Sequence, residues 1–201
     1  MSFFKKIFGS RNETSKNKEE RGKYAPAEQK KISADECFAI KFVESGGKFI
    51  YCESEIEIQQ IFVNIIREIG IDARIATPSQ QLVEMFGEFE SLFVKNVDKA
   101  NIYLTDCEYL LTDKGAILFS SNQLRQKKMK DLPKIFIVFA KTSQMVLDIS
   151  EGMRGIKNKY RKKIPSGITA LHNFKESQDD FLTYGTCSKK MYLILLEDMS
   201  N

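Results

Sequence analysis

The sequence predicts an α/β fold in which a largely parallel sheet carries helices on both faces, after a charged amino-terminal tail. Two observations indicate this. Short apolar runs bounded by turn residues, typical of core strands, alternate along the chain with segments whose apolar residues recur at helical spacing. Such alternation favours parallel strands, because the chain must cross back over the sheet between two parallel strands, and a helix makes that crossing. A length of 201 residues allows one such domain with a substantial core.

Residues 1–32 are predicted to precede the domain as an amphipathic terminus and a linker. Residues 3–8, FFKKIF, place apolar side chains at helical spacing with two lysines between them. Such a segment can lie in the interface of an anionic membrane, and a frayed terminus or a helix docked on its own domain is the alternative. Residues 10–31 are charged and nearly devoid of aliphatic side chains, which predicts a flexible tether.

The predicted α/β domain spans residues 33–201 and opens with repeated strand and helix signals. Ser33 and Glu36 have the spacing of a capping box, so a helix is predicted from there to Gly46-Gly47. The next predicted elements are a strand over 48–52, a helix from Ser54 to Gly70, a strand over 73–76, a helix opened by Pro78 and a short strand near 91–94.

The second half of the domain contains its most apolar runs. Strands are predicted over 100–104 and 115–119, and the run over 134–139 is so uniformly apolar that burial on both faces is expected. The later predicted elements are a long helix capped by Thr142 or Ser143, a strand near 168–171, a helix near 177–183 and a final strand over 191–196.

The long helix after position 143 is predicted to be amphipathic. Val146, Ile149, Met153 and Ile156 form its apolar stripe, and the opposite side lies in the basic run over residues 154–163, RGIKNKYRKK. The basic run could meet anionic head groups, nucleic acid or an acidic protein. A solvated helix face is the simpler alternative.

Composition narrows the class of protein. The apolar content of 42% and charged content of 29% are ordinary for a globular chain. A net charge of +4 is too small to predict nucleic-acid binding. No apolar run reaches the length of a membrane span, and no signal-peptide pattern is present. We therefore expect a cytoplasmic protein, with a peripheral position on the inner membrane face as the alternative.

The cysteines and the histidine predict no metal site. The four cysteines (Cys37, Cys52, Cys107 and Cys187) are dispersed, and His172 has no neighbouring ligand in the sequence. Neither a structural zinc nor an iron–sulfur cluster is expected in this chain, and no cofactor can be named. No dinucleotide, phosphate-loop or nucleophile-elbow motif is present, so no catalytic residues are predicted.

Three segments resemble the LUD (lactate-utilisation) domain family in their order and spacing. The segment YLTDCEYLLTDKGAILFSS resembles the family's strand, short turn, Glu-Thr-Gly triplet and apolar strand, with Asp113, Lys114 and Gly115 at the triplet. LPKIFIVFAKTSQMVLDISEGM resembles the strand and helix that follow. Towards the carboxyl terminus, HNFKESQDDF and YGTCSKK stand where the family has Ser-Arg-Thr and His-Gly-Pro elements, and they keep only an acid near Asp179 or Asp180 and the glycine Gly185.

This resemblance covers roughly residues 38–198 and has implications for fold and function. It implies the three-layer fold shared with sugar-phosphate isomerases and coenzyme A transferases (NagB/RpiA/CoA transferase-like). It also implies an accessory or ligand-binding component of a lactate-utilisation-type oxidoreductase system, with iron–sulfur oxidoreductase subunits as partners. The alternative is a non-catalytic binding or scaffolding module at the cytoplasmic membrane face, attached through residues 3–8. Nucleic acid is not expected as a partner.

The predicted ligand site lies where polar residues follow core strands, because ligands of such sheets bind outside the carboxyl ends of the strands. We expect Asp113-Lys114-Gly115 to line the main pocket, with Lys114 supplying positive charge and Gly115 a close backbone approach. An ordinary solvated turn is the alternative. The other predicted ligand-binding residues are Thr105, Asp106, Ser120, Ser121, Ser143, Gly185 and Thr186.

Overall fold

A computed structural model describes residues 33–70, 72–125, 127–175 and 189–198. The predicted tail over residues 1–32, the predicted helix near 177–183 and two predicted site residues, Gly185 and Thr186, lie outside the described residues. None of the helices in the described residues combines the length and the hydropathy that a membrane span requires.

The described residues form nine strands and five α-helices. Strands and helices alternate at first, as predicted, and several short strands occur in the middle of the domain. In chain order the elements are α1 (Ala34–Glu44), β1 (Lys48–Cys52), α2 (Glu55–Ile69), β2 (Ile75–Ala76), α3 (Gln80–Met85), β3 (Ile102–Asp106), β4 (Tyr109–Leu111), β5 (Ala116–Phe119), α4 (Ser121–Leu124), β6 (Ile135–Lys141), β7 (Met145–Val146), α5 (Ile149–Lys159), β8 (Thr169–Leu171) and β9 (Lys190–Leu196).

Five strands form a parallel sheet in the order β1-β9-β6-β3-β2, which confirms the predicted fold class. Successive side chains of β6 point to opposite faces, and each face has its own apolar cluster. Phe136 and Val138 join the cluster that contains Phe42 of α1, and Ile137 joins the cluster that contains Phe62 of α2. β6 is therefore buried on both faces because helices cover both, as its uniformly apolar sequence predicted.

A second, mixed sheet has the order β7-β4-β5-β8. β4 and β5 pair as an antiparallel hairpin with its turn at residues 112–115. One side of the hairpin, including Ile117, joins the α1 cluster, and the other side, including Leu118, packs on α5. Gly152 of α5 allows this approach, because a Cβ there would lie 2.9 Å from Leu118 Cδ2.

The second sheet corrects the prediction for this region. The run over 115–119 was expected to be another strand of the parallel sheet, and β4 was not predicted. β5 is buried on both sides, by the main domain and by α5, so its sequence has the uniformly apolar character of a central parallel strand. β4 has only three residues, too few to show a period.

Most predicted helix caps are confirmed, with one exception. The Ser33 hydroxyl accepts a hydrogen bond from Glu36 N, and Ser54 caps α2 in the same way. Thr142 and Ser143 do not cap α5, because residues 142–146 form a 3₁₀ turn and β7 before the helix starts. Asp148 is the cap, and its Oδ1 accepts from the backbone N–H of Glu151 at 2.9 Å.

Two other details differ from the sequence-based expectations. Residues 87–92 form a 3₁₀ helix, and the strand predicted near 91–94 is reduced to a single bridge between Phe93 and Ile75. In α5, Gly152 and Ile156 form the buried face, whereas Ile149 and Met153 from the predicted apolar stripe are exposed. Gly152 is the residue through which α5 packs closely on the hairpin.

We expect Gly115→Ala to destabilise the domain more than Gly167→Ala. Both glycines have φ of +61°, which costs an alanine roughly 1–2 kcal/mol. A Cβ at position 115 would also lie 2.7 Å from Lys41 Cβ and from Phe42 N of α1, adding about 1–3 kcal/mol of overpacking. A Cβ at position 167 meets no atom within 4 Å. Urea unfolding of the full chain measures the difference, and equal losses would contradict the packing of the turn on α1.

Candidate functional site

Glu108 is a buried carboxylate at the connection between the two sheets. It lies between the end of β3 and the start of β4, and its side chain is 0% exposed. Its backbone N–H donates to the carbonyl of Leu118 at 2.9 Å, which closes the open end of the β4–β5 hairpin. The carboxylate therefore lies beside the end of β5 and next to α5.

The Glu108 carboxylate accepts hydrogen bonds from three side chains in two separate parts of the chain. Oε1 accepts from Ser120 Oγ, just after β5, at 2.7 Å. Oε2 accepts from Lys159 Nζ, at the end of α5, at 3.1 Å. The hydroxyl of Tyr160 lies 3.2 Å from both oxygens and can donate to either. These contacts hold the carboxyl end of α5 against the open end of the hairpin.

These contacts keep Glu108 ionised. Burial raises the pKa of its carboxyl, but the hydrogen bond from Ser120 and the charge and hydrogen bond of Lys159 outweigh burial and lower the pKa. For Lys159, burial lowers the pKa, whereas the hydrogen bond with Tyr160 and the charge of Glu108 raise it overall. The two side chains therefore form an ion pair at neutral pH.

Asp106, two residues before Glu108, has a pKa shifted in the opposite direction. Burial raises the pKa of this carboxyl, and a hydrogen bond with Gln123 only partly offsets the effect. Two nearby carboxyl groups with opposite shifts can take different roles, one holding charge and the other holding or donating a proton.

A cleft of about 480 Å³ opens beside this cluster. Two of its wall residues also reach Glu108: Tyr160 through its hydroxyl, and Asn122 through Nδ2 at 3.5 Å from Oε1. The N–H of Ser121 donates to the Ser166 carbonyl at 2.9 Å and ties the two walls together. The lining residues are Ser121, Asn122, Tyr160, Lys163, Ile164, Pro165 and Ser166.

The charge of the cleft is positive. Lys159 neutralises Glu108 behind the wall, and Lys163 contributes a cation to the lining itself. A second depression of about 540 Å³, lined by residues 158–163, lies alongside and includes the further cations Arg161 and Lys162. An anionic group is the ligand that such a surface favours.

Several predicted site residues lie close to Glu108. Ser120 donates a hydrogen bond to Glu108, and Asp106 is hydrogen-bonded to Gln123 beside it. Ser121 lines the cleft. Thr105 is buried in β3, where its hydroxyl donates to the Asp106 carbonyl at 3.1 Å.

The structure does not bring Asp113, Lys114 and Gly115 to this cleft. They form the hairpin turn, at the opposite end of β4 and β5 from Glu108 and Ser120. Asp113 and Lys114 are exposed, and Lys41 Nζ donates to the Asp113 carbonyl at 2.6 Å. The close backbone approach expected at Gly115 is made to α1. The triplet thus lies in an antiparallel turn and not at the carboxyl end of a parallel strand, where it was expected. Its role in ligand binding stays a prediction.

Ser143 lies at the carboxyl edge of the main sheet but in a separate cluster. Its hydroxyl and that of Thr142 both donate to the Asp198 carboxylate, which follows β9. Burial raises the pKa of Asp198, but these hydrogen bonds outweigh it and lower the pKa. Over the described residues, no three cysteine, histidine, aspartate or glutamate side chains are grouped to hold a metal ion.

The main residues of the site were not predicted from the sequence. Glu108 gave one usable signal, a charged residue between apolar neighbours in the run LTDCEYLL. Asn122 gave none. Lys159, Tyr160 and Lys163 lie in the basic run over 154–163. That run is equally typical of a solvated helix face, so it did not indicate a site.

We expect Lys159→Met to lower the free energy of unfolding by about 2–4 kcal/mol at pH 7, because it leaves the Glu108 charge buried without its cation. Lys157→Met removes an exposed lysine from the same helix and serves as the control, with an expected change within about 0.5 kcal/mol. Urea unfolding measures both. Equal losses would show that the ion pair does not stabilise the fold.

The stability of the unchanged protein and that of Lys159→Met should also depend on pH with opposite signs. The native pKa of Glu108 is lowered from its ordinary value of 4.5, so its contribution to stability is complete above that value and is lost as the pH falls below it. In Lys159→Met the carboxyl is buried without its cation, and its native pKa should rise above the ordinary value. The stability of the variant should then fall with increasing pH between about 5 and 8. Urea unfolding at a series of pH values measures both profiles. Parallel profiles would contradict a Glu108 charge that is buried and paired with Lys159.

The fold and the family are shared with known proteins. The chain is similar to the crystal structure of a DUF162 family protein from Deinococcus radiodurans, with 14% identity, a TM-score of 0.57, and coverage of 83% of this chain and 99% of that chain. At this identity the likeness concerns the fold alone. No curated protein matches the sequence. The model of the LUD domain family matches residues 36–196, most of the chain, as the motifs predicted. The chain belongs to the LUD domain family.

Proposed function

We propose that this LUD domain is an accessory component of a lactate-utilisation-type oxidoreductase system and that it binds a small organic anion. The observation that carries the proposal is the positively charged cleft over the Glu108 ion pair. The name of the family supports the link to lactate utilisation. The proposed role is binding, with other subunits carrying out the oxidation.

The lining of the cleft favours an anion of small size. Lys163 supplies the positive charge, and none of the described lining residues carries a carboxylate. The side chains of Asn122 and Ser166 can hydrogen-bond a hydroxyl or carbonyl group, and Ile164 and Pro165 offer an apolar wall. A hydroxy- or keto-carboxylate with a short alkyl group has the matching set of groups.

Glu108 supports binding more readily than catalysis. Its two oxygens are occupied by Ser120, Lys159 and Tyr160, and its pKa is lowered. A general base needs a free lone pair directed at the substrate and a pKa near the working pH. Glu108 has neither, so its effect on a ligand is to fix Tyr160 and Asn122 in the cleft wall.

We expect Lys163→Ala to weaken binding of lactate or pyruvate about tenfold, because an exposed charge-assisted hydrogen bond is lost. Lys162→Ala is the matched control: it makes the same change of charge at a residue that lines the adjoining depression but not the cleft. Isothermal titration calorimetry with each carboxylate, and with neutral lactamide, measures the affinities. Equal effects of the two substitutions, or binding of lactamide as tight as lactate, would reject the cleft as an anion site.

The proposed place in an oxidoreductase system has its own test. We expect the full chain, used as bait in a native extract, to retain iron–sulfur oxidoreductase subunits, because the proposed anion site contributes no redox group of its own. The retained fraction is identified by mass spectrometry and by its iron content. A bait carrying Lys163→Ala shows whether the association depends on the cleft. Retention without any iron–sulfur protein would contradict this part of the proposal.

A further inference from the structure

Three large apolar side chains in helix α5 and just before it are exposed to solvent. Leu147, just before the helix, is 63% exposed, Ile149 is 46% exposed and Met153 is 42% exposed. Ile149 and Met153 are four residues apart, so they lie on the same face one turn apart. The helix packs on its own domain through Gly152 and Ile156, and Ile149 and Met153 lie beside this contact and remain exposed. The exposed apolar residues are therefore not part of the core.

Two exposed cations follow these apolar residues along the helix. Lys157 follows Met153 by four residues and continues the row that Ile149 begins. Arg154 lies next to this row, and both cations are exposed. We call Leu147, Ile149, Met153, Arg154 and Lys157 the α5 surface.

The hairpin turn adds a third cation near the apolar end of the α5 surface. Asp113 N donates to the Leu147 carbonyl at 3.0 Å, which brings the turn against Leu147. The next residue, Lys114, is exposed, while the Asp113 carbonyl is held by Lys41.

The carboxylates at the start of α5 are engaged with backbone groups. Asp148 caps the helix, and Glu151 Oε2 accepts from Leu147 N at 2.7 Å. Glu151 is two residues from both Ile149 and Met153, about 200° around the helix, so it lies on the side away from their row. The α5 surface itself therefore carries two cations, Arg154 and Lys157, and no carboxylate.

We propose that the α5 surface docks this protein on an anionic lipid bilayer. Arg154 and Lys157 would meet phosphate head groups, and Leu147, Ile149 and Met153 would enter the boundary with the acyl chains. An interfacial helix needs this combination of apolar residues and flanking cations. The site differs from residues 3–8, whose attachment to membranes was predicted from the sequence, and it does not depend on the anion cleft.

Other occupants fit the α5 surface less well. A second copy that packed the same surface against itself would bring four cations, Arg154 and Lys157 from each copy, into one interface with no carboxylate of the α5 surface to pair them. A single-stranded nucleic acid would stack its bases on aromatic side chains, and the exposed apolar residues here are two branched aliphatics and a methionine.

Co-sedimentation of the full chain with vesicles tests the proposal. The vesicles contain equal parts of phosphatidylglycerol and phosphatidylcholine, or phosphatidylcholine alone. We expect binding to the anionic vesicles only, and a loss of about 25-fold in Arg154→Gln/Lys157→Gln, at about fivefold for each cation. Lys128→Gln/Lys130→Gln removes the same charge from the exposed turn before β6 and should leave binding unchanged. Residues 3–8 are present in every variant, so their contribution cancels.

Insertion of the apolar residues is measured separately. The chain contains no tryptophan, so Met153→Trp provides a single indole reporter. We expect its emission to shift to shorter wavelength with anionic vesicles and to stay unchanged with phosphatidylcholine alone. Ile149→Ser should weaken vesicle binding several-fold without altering the far-ultraviolet circular dichroism, because this side chain is exposed.

Several results would overturn the proposal. Unchanged vesicle binding in Arg154→Gln/Lys157→Gln, or an equal loss in Lys128→Gln/Lys130→Gln, would show that the α5 surface is not the contact. An unshifted emission of Met153→Trp would remove the apolar insertion. A change of oligomeric state in the α5 variants without lipid, measured by sedimentation velocity, would identify a second copy as the occupant. Loss of binding to a single-stranded RNA probe with vesicle binding intact would identify nucleic acid.

Discussion

The burial of one charge, on Glu108, is the constraint on which the arrangement around the cleft depends. An ionised carboxylate removed from water without partners costs several kcal/mol. Ser120, Lys159 and Tyr160 come from the end of β5 and the end of α5, so both ends must be in place before the charge is compensated. The carboxylate thus favours one packing of α5 on the hairpin over neighbouring registers that apolar contacts alone would tolerate.

Helix α5 has three different sides, and each has a different task. The glycine-containing side packs closely on the hairpin, the carboxyl end supplies the ion pair and the wall of the cleft, and the third side is exposed to solvent. Because one helix meets all three requirements, its apolar residues do not all lie in one buried stripe. Gly152 and Ile156 occupy the packed side, and the apolar residues Ile149 and Met153 are exposed.

The sequence was sufficient for the parallel sheet and for most of the helix caps, because those features depend on short-range patterns such as the run over 134–139 and the Ser33–Glu36 pair. It was not sufficient for the hairpin. A strand that is buried on both sides by two different layers has the same composition as a central parallel strand, so β5 was assigned to the wrong sheet. The Glu108–Lys159 ion pair could not be predicted for a related reason: the two residues are 51 residues apart, and only the path of the hairpin makes them neighbours.

The position of β9 in the main sheet has a consequence for the order of folding. β1 pairs with β9, and β9 pairs with β6, so the strand nearest the start of the domain is joined to the rest of the sheet by the strand nearest its end. During synthesis, β1 and the helices α1 and α2 leave the ribosome long before residues 190–196 supply their partner. The sheet therefore closes late, through contacts of long sequence separation, which are typical of slow folding. Until then β1 has an unpaired edge and the α1 and α2 faces remain partly uncovered, and a nascent chain in that state is the form most exposed to aggregation and to chaperones.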